Sequence, residues 1–211
     1  MRRVVLSVLT AALVAGCASG PSTTLDVTWA APQIPPAKSF KKLLIITVAA
    51  NEFVQEAFQK QLAADLQKRG VNAVASGRYF ARYTDAERAR FKQSIDASDA
   101  DYILLARVTF SDTKSFEDRG TIMGLGGTPH SDVNNIYGAF ARYVDPSSYA
   151  AGADASVKTV HSETSIFSHK GEKLIWSARV RTVNADSTTG AHYAPQYIGV
   201  ILDAMKKDKL L

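Results

Sequence analysis

His161 and Glu163 stand two residues apart within Ser156 to Ser168, a run rich in β-branched residues. On a strand, residues two apart point to one face, so this pair could make half of a metal site. No cysteine pair and no third histidine stands near them, and His130, His169 and His192 are scattered among turn-like and loop-like stretches. The pair therefore reads as a surface His–Glu contact, with no metal and no cofactor expected. Gly124 to Gly127 is glycine-rich, yet no Lys-Ser/Thr follows it and it does not join a strand to a helix. It fails as a phosphate cradle and reads as a flexible loop. No Gly-x-Ser-x-Gly elbow offers a nucleophile, and no catalytic residue is expected. Arg107, Arg179 and Arg181 are of more interest. Period two puts Arg179 and Arg181 on one face of their strand, and sets Arg107 opposite Tyr102, Leu104, Ala106, Val108 and Phe110 on its own. If those strands are neighbours, the arginines form a basic stripe on the sheet face away from the helices. Three solvated arginines on an open face is the plainer reading.

Cys17 is the single cysteine of the chain. Met1-Arg2-Arg3 is a short positive start, and Val4 to Val14 is apolar apart from Ser7 and Thr10. That run has the length of a signal-peptide core and falls short of the roughly 20 residues that span a bilayer. Small residues, Ala15 and Gly16, precede the cysteine. The order resembles a bacterial lipoprotein signal with Val14-Ala15-Gly16-Cys17 as its lipobox. The resemblance implies diacylglyceryl transfer to the Cys17 thiol, cleavage before Cys17, and acylation of the new amino terminus by a chain such as palmitate. Residues 1–16 are then the signal peptide and 17–24 a lipidated tether. Ala18 follows the cysteine where inner-membrane retention uses Asp, so the resemblance points to the periplasmic face of the outer membrane. Two or three acyl chains make a stable anchor, each buried methylene contributing roughly 0.8 kcal/mol. With the thiol acylated, no disulfide is available and the exported domain relies on its core.

The formal charge is +5 over 211 residues, and it falls by two without Arg2 and Arg3. The pI near 9.3 owes much to the signal and to the tail Lys206-Lys207-Asp208-Lys209, and a periplasmic address argues further against nucleic acid. A mildly basic surface suits anionic envelope components, such as lipid phosphates or wall carboxylates, or an acidic envelope protein.

Behind the tether, Leu25, Val27 and Trp29 alternate with Asp26 and Thr28, which predicts a short half-buried strand. Pro32, Pro35 and Pro36 make a loop of residues 30–39. LLIITVAA reads as a buried strand. Val54, Phe58, Leu62 and Leu66 recur at spacing four, which predicts a helix capped by Asn51 and closed by Gly70. VNAVAS is a second strand. Thr84 and Glu87 form a capping box for a helix carrying Ala86, Phe91 and Ile95, and ADYILLARVTF is the longest strand signal. Lys170-Gly171-Glu172 lies between two β-rich runs and predicts a hairpin, and Pro195 begins a last helix with Tyr197, Ile198, Ile201, Leu202 and Met205 on one face. The expected fold is α/β: a mixed sheet built as β-α-β-α-β, a hairpin and a C-terminal helix, in one domain over 25–211.

This order behind a lipobox is similar to envelope lipoprotein domains that share a fold with the amino-terminal domain of the Tol-system propeller protein. Curli-secretion-type lipoproteins and lipoprotein activators of penicillin-binding proteins belong to that circle. Val27-Thr28-Trp29, Lys42-Leu43-Leu44-Ile45, Gly70, Asp101-Tyr102-Ile103-Leu104 and Lys173-Leu174-Ile175-Trp176-Ser177-Ala178 also resemble an uncharacterised family of small bacterial envelope lipoproteins. The match covers nearly all of 25–211, its motifs are structural, and it implies no activity.

Residues 117–155 break the pattern. Loops beyond about 15 residues are uncommon in compact domains and are usually functional or disordered. Ile122, Met123 and Leu125 among glycines, with Tyr137 and Tyr143, suit a partner-binding surface, and Phe140 and Tyr149 add aromatic area. A packed cover of the sheet face is the equal alternative. The overall reading is a non-enzymatic binding or assembly accessory, anchored in the outer membrane and serving an envelope partner. A subunit of a secretion or channel assembly is the alternative, and a periplasmic hydrolase a more remote one. Cys17→Ser is expected to abolish incorporation of a fatty-acid analogue in metabolic labelling. Equal label in mutant and wild type would refute the lipoprotein signal.

Overall fold

LLIITV contains one polar residue, Thr47, and the chain buries the whole run as strand β2 (Leu43–Val48). A strand buried on both faces needs a layer on each side, and in this fold helices supply both. The computed structural model describes residues 22–49, 52–80, 84–114, 136–141, 157–169, 173–183 and 190–211. β3 (Ala73–Ala75) and β4 (Tyr102–Lys114) flank β2 and run parallel to it. Parallel neighbours require crossovers, made here by α1 (Glu52–Gln67) and α2 (Asp85–Ala97). β5 (Val157–Ser168) and β6 (Lys173–Val183) form the expected hairpin, and β5 pairs antiparallel with β4. β1 (Ser22–Ala30) closes the far edge against β6, giving the mixed order β1-β6-β5-β4-β2-β3. The α/β class, the parallel core and the hairpin all match the sequence reading.

Period two divides the strands between two cores. On one face Leu43, Ile45, Leu104, Ala106, Trp176, Ala178 and Val180 meet Phe58, Leu62 and Leu66 of α1. The same cluster takes in Tyr197, Ile198, Ile201, Leu202 and Met205 of the C-terminal helix α4 (Gly190–Lys207). On the other face Leu44, Ile46, Val48, Ile103 and Leu105 meet Phe91 and Ile95 of α2. Phe80 and the short helix α3 (Ile136–Ala141) complete that layer. Phe91 and Phe140 stack at 4.2 Å, and Phe80 stands edge-on to them at 5.5 and 5.7 Å.

The punctuation follows its chemistry. Gly70 sits at φ +83°, a conformation costly for any residue with a Cβ, and Val71 N–H and Gly70 N–H close the helix onto Leu66 and Gln67 carbonyls. Thr84 Oγ1 accepts the Glu87 N–H at 3.1 Å, while the Glu87 carboxylate pairs with Arg90. The Asp101-Tyr102 motif ties the starts of β2 and β4 together. Asp101 accepts the Lys41 and Lys42 N–H groups at 3.0 and 2.8 Å, and Tyr102 stacks on Phe40 at 3.8 Å. Burial, with the Asp101 charge beside it, pushes the Tyr102 phenol above its usual range.

Several boundaries differ from expectation. β1 begins at Ser22, so three residues assigned to the tether are strand, drawn in by pairing with Thr182 and Val183. α4 begins at Gly190 and takes in His192; Pro195 stands in its second turn, where the missing N–H forfeits one backbone bond. Ala86 is exposed, and α2 buries only Phe91 and Ile95. Among the described residues no helix is long and apolar enough to cross a membrane.

Two glutamines on the inner face of α1 went unread in the sequence. Gln55 and Gln59 are each 1% exposed, because each side chain pairs with backbone that no strand serves. Gln55 donates to Phe80 O at 2.9 Å and accepts from Phe80 N at 3.2 Å, and Gln59 Oε1 accepts from Ser76 Oγ and Gly77 N, both at 3.1 Å. Gln55→Leu takes the acceptor from the Phe80 N–H, while the Phe80 carbonyl keeps the Ala49 N–H, and is expected to cost about 2 kcal/mol in urea unfolding. Gln61→Ala, on the exposed face, should stay within about 0.5 kcal/mol.

Candidate functional site

The sheet register brings the chemically interesting residues into two rows. Arg107 of β4 stands opposite Glu163 of β5, and Glu163 opposite Arg179 of β6. In the next row His161 stands opposite Arg181, and Asp26 of β1 reaches both. Arg107 and Glu163 are each 4% exposed. Their closest contact is Arg107 Nη2 to Glu163 Oε1 at 3.2 Å, and that oxygen also accepts from Ser165 Oγ at 2.9 Å. A second guanidinium nitrogen donates to the Ala139 carbonyl of α3. Asp26 lies 3.6 Å from Arg181 Nε and 3.9 Å from His161 Nδ1.

These contacts correct two expectations. The arginine face is not the side away from the helices, since α3 lies against Arg107. The arginines do not form an unbroken basic stripe either, because Glu163 stands between Arg107 and Arg179. The reason is the cost of burying a charge, which only a close counter-ion and hydrogen bonds offset. His161 and Glu163 do share a face, as period two requires. They are no surface pair: Glu163 is committed to Arg107 and Ser165, and His161 lies by Asp26. Among the described residues no group of three His, Cys, Asp or Glu side chains could hold a metal ion.

A crevice of about 60 Å³ opens at the carboxyl end of β2, beside the middle of β4. Thr47, Val48, Ala49, Ala106, Arg107 and Ser162 come from the sheet side, Val54 and Phe58 from α1, Ala194 and Tyr197 from α4. Small residues make the space: Ala106 and Ala194 stand where larger side chains would fill the gap. Here β2 leads to β3 on one side, while β4 leads to β5 on the other. Crevices at such a reversal, outside the carboxyl ends of parallel strands, are where open α/β sheets bind ligands. Thr47 Oγ1 is buried and has no hydrogen-bond partner among the described residues, whereas Tyr197 Oη is held by Thr164 Oγ1 at 2.7 Å. Thr47 and Ser162 went unmarked in the sequence. The signal was there in Thr47, the single polar residue of the LLIITV run.

Tyr137, expected on a partner surface, is half-buried on α3 and stands edge-on to Phe91 at 6.2 Å. It also borders a shallow hollow of about 440 Å³ with Asp85, Arg88, Ala89 and Lys92 of α2. Phe140, its neighbour, is fully buried. The described part of the long insert thus packs on the sheet as a cover. Cys17, Ile122, Met123, Leu125 and Tyr143 lie outside the described residues.

No family model matches the chain, and no curated protein does. Among solved structures, the PelC dodecamer from Paraburkholderia phytofirmans is similar over 86% of this chain and 95% of its own, with 12% identity and a TM-score of 0.40. A PDZ domain protein from Parabacteroides distasonis is similar over 84% of this chain, which spans 35% of that protein, with 13% identity and a TM-score of 0.44. Lipoprotein GNA1162 from Neisseria meningitidis is similar over 77% of this chain and 98% of its own, with 14% identity and a TM-score of 0.32. Likenesses of this size carry no conclusion about function.

The buried pair makes a quantitative prediction. Glu163→Ala leaves Arg107 charged and uncompensated and is expected to cost about 3–5 kcal/mol in urea unfolding. Combining Arg107→Met with Glu163→Leu should recover most of that loss, and a double-mutant cycle measures the coupling.

Proposed function

We propose that this chain is a lipid-anchored envelope domain at the periplasmic face of the outer membrane, acting as a non-enzymatic binding or assembly accessory. The signal order ending in Cys17 supports the anchor. The observation that supports a binding role most is the commitment of Glu163. Its carboxylate accepts from Arg107 and Ser165 in a buried network, an arrangement that fixes structure and does not present a free base to substrate. The accessible members of the charged rows are different in kind. Arg181 keeps 49% of its side chain exposed and is held only loosely, at 3.6 Å, by Asp26. Arg179 lies beside it on the same face of β6.

These two cations suit an anionic envelope component or the acidic patch of an envelope protein. Crosslinking from native membranes tests the proposal. Arg181→Glu should weaken capture of the wild-type crosslinked partner several-fold, with the thermal transition nearly unchanged. Unaltered capture in the folded variant would exclude this face as the contact.

A further inference from the structure

The strand directions determine which end of the domain the anchor reaches. β4 runs with β2, β5 against β4, β6 against β5 and β1 against β6. β1 therefore runs opposite to β2 and β4, and its first residue lies at the end of the sheet where those strands finish. The register places it further out still. Ser22 pairs with Val183, Val183 with Thr159 and Thr159 with Asp112, a row beyond Arg107, which pairs with the last residue of β2. The crevice, the Arg107–Glu163 row and the start of α1 all belong to this end. The opposite end holds the β2 start, with Asp101 on Lys41 and Lys42. It also holds the carboxyl end of α4, where Asp208 accepts from Trp176 Nε1 and Leu210 O accepts from Ala37 N.

Five residue steps separate Cys17 from Ser22. Fully extended, they cover at most about 18 Å at roughly 3.6 Å each. β1 itself has nine residues and spans roughly 30 Å at about 3.4 Å per residue. An anchored domain thus has one end within reach of the bilayer and the other held away from it. From this we infer that the Ser22 end is a bilayer-facing surface, contacting the phosphates of lipid headgroups. The inference rests on the lipid-anchored reading above. Among the described side chains, Arg181 gives this end a cation: it stands opposite Thr24 of β1, half exposed, 3.6 Å from Asp26. Cationic side chains near an anionic leaflet are attracted to it within about a Debye length.

The test uses the full chain, processed in its native envelope and reconstituted in vesicles of phosphatidylethanolamine with phosphatidylglycerol. Single reporters at Ser22→Cys and at Lys209→Cys carry a donor dye, and the headgroup layer carries the acceptor. Strong energy transfer from position 22 and little from position 209 is the expected result. Replacing phosphatidylglycerol by phosphatidylcholine should lower transfer from a third reporter at Thr24→Cys. Protein that fails to float with the vesicles refutes the anchor, and the orientation with it. Protein that floats but gives equal or reversed transfer refutes the orientation alone, and transfer indifferent to lipid charge refutes the phosphate contact.

Discussion

The structure depends on the burial of β2 from both sides. A strand whose six residues are all withdrawn from water cannot sit at the edge of a sheet or face solvent. It needs strand neighbours for its backbone and an apolar layer on each face. β3 and β4 supply the first, and the crossovers that make them parallel supply the second, with α1 on one face and α2 on the other. The hairpin extends the sheet, α4 extends the α1 layer, and α3 extends the α2 layer. Each element beyond β2 is placed by the surface that the previous ones leave uncovered.

The same burial explains the charged rows. β4 is long enough to pass from the apolar core, at Ile103 and Leu105, into the region where β2 no longer runs beside it. Arg107 lies at that transition, against α3. A guanidinium there is tolerable because Glu163 arrives from the next strand in register and Ala139 offers a carbonyl. The pair is a consequence of strand register more than of local sequence, since the partners are 56 positions apart. The crevice arises at the same transition, where β2 has ended and the residues are small.

A sheet also gives a domain a direction. Because β1 adds to the hairpin antiparallel to β6, Ser22 stands at the end carrying the crevice and the charged rows. Had β1 paired in the opposite sense, Ser22 would have stood at the opposite end. Which surfaces lie near the start of β1 is thus decided by one strand pairing at the edge of the sheet.

The sequence by itself determined the element types, since hydrophobic periodicity and capping chemistry are local properties. LLIITV, the Phe58-Leu62-Leu66 stripe, Gly70, Thr84 and the Ile198-Ile201-Leu202-Met205 face were all legible. So was the sharing of one face by His161 and Glu163, because strand geometry fixes it. What only the tertiary structure decided is who meets whom. Arg107 looked like a solvated cation because nothing nearby in sequence announces Glu163 as its counter-ion. Gln55 and Gln59 carried no sequence signal because the backbone they satisfy, at Phe80 and Gly77, lies on another segment. Thr47 marks the crevice only through the packing of α1 and α4 beside its hydroxyl. Side-chain type and period are written along the chain, whereas charge pairing and cavity formation depend on register between strands distant in sequence.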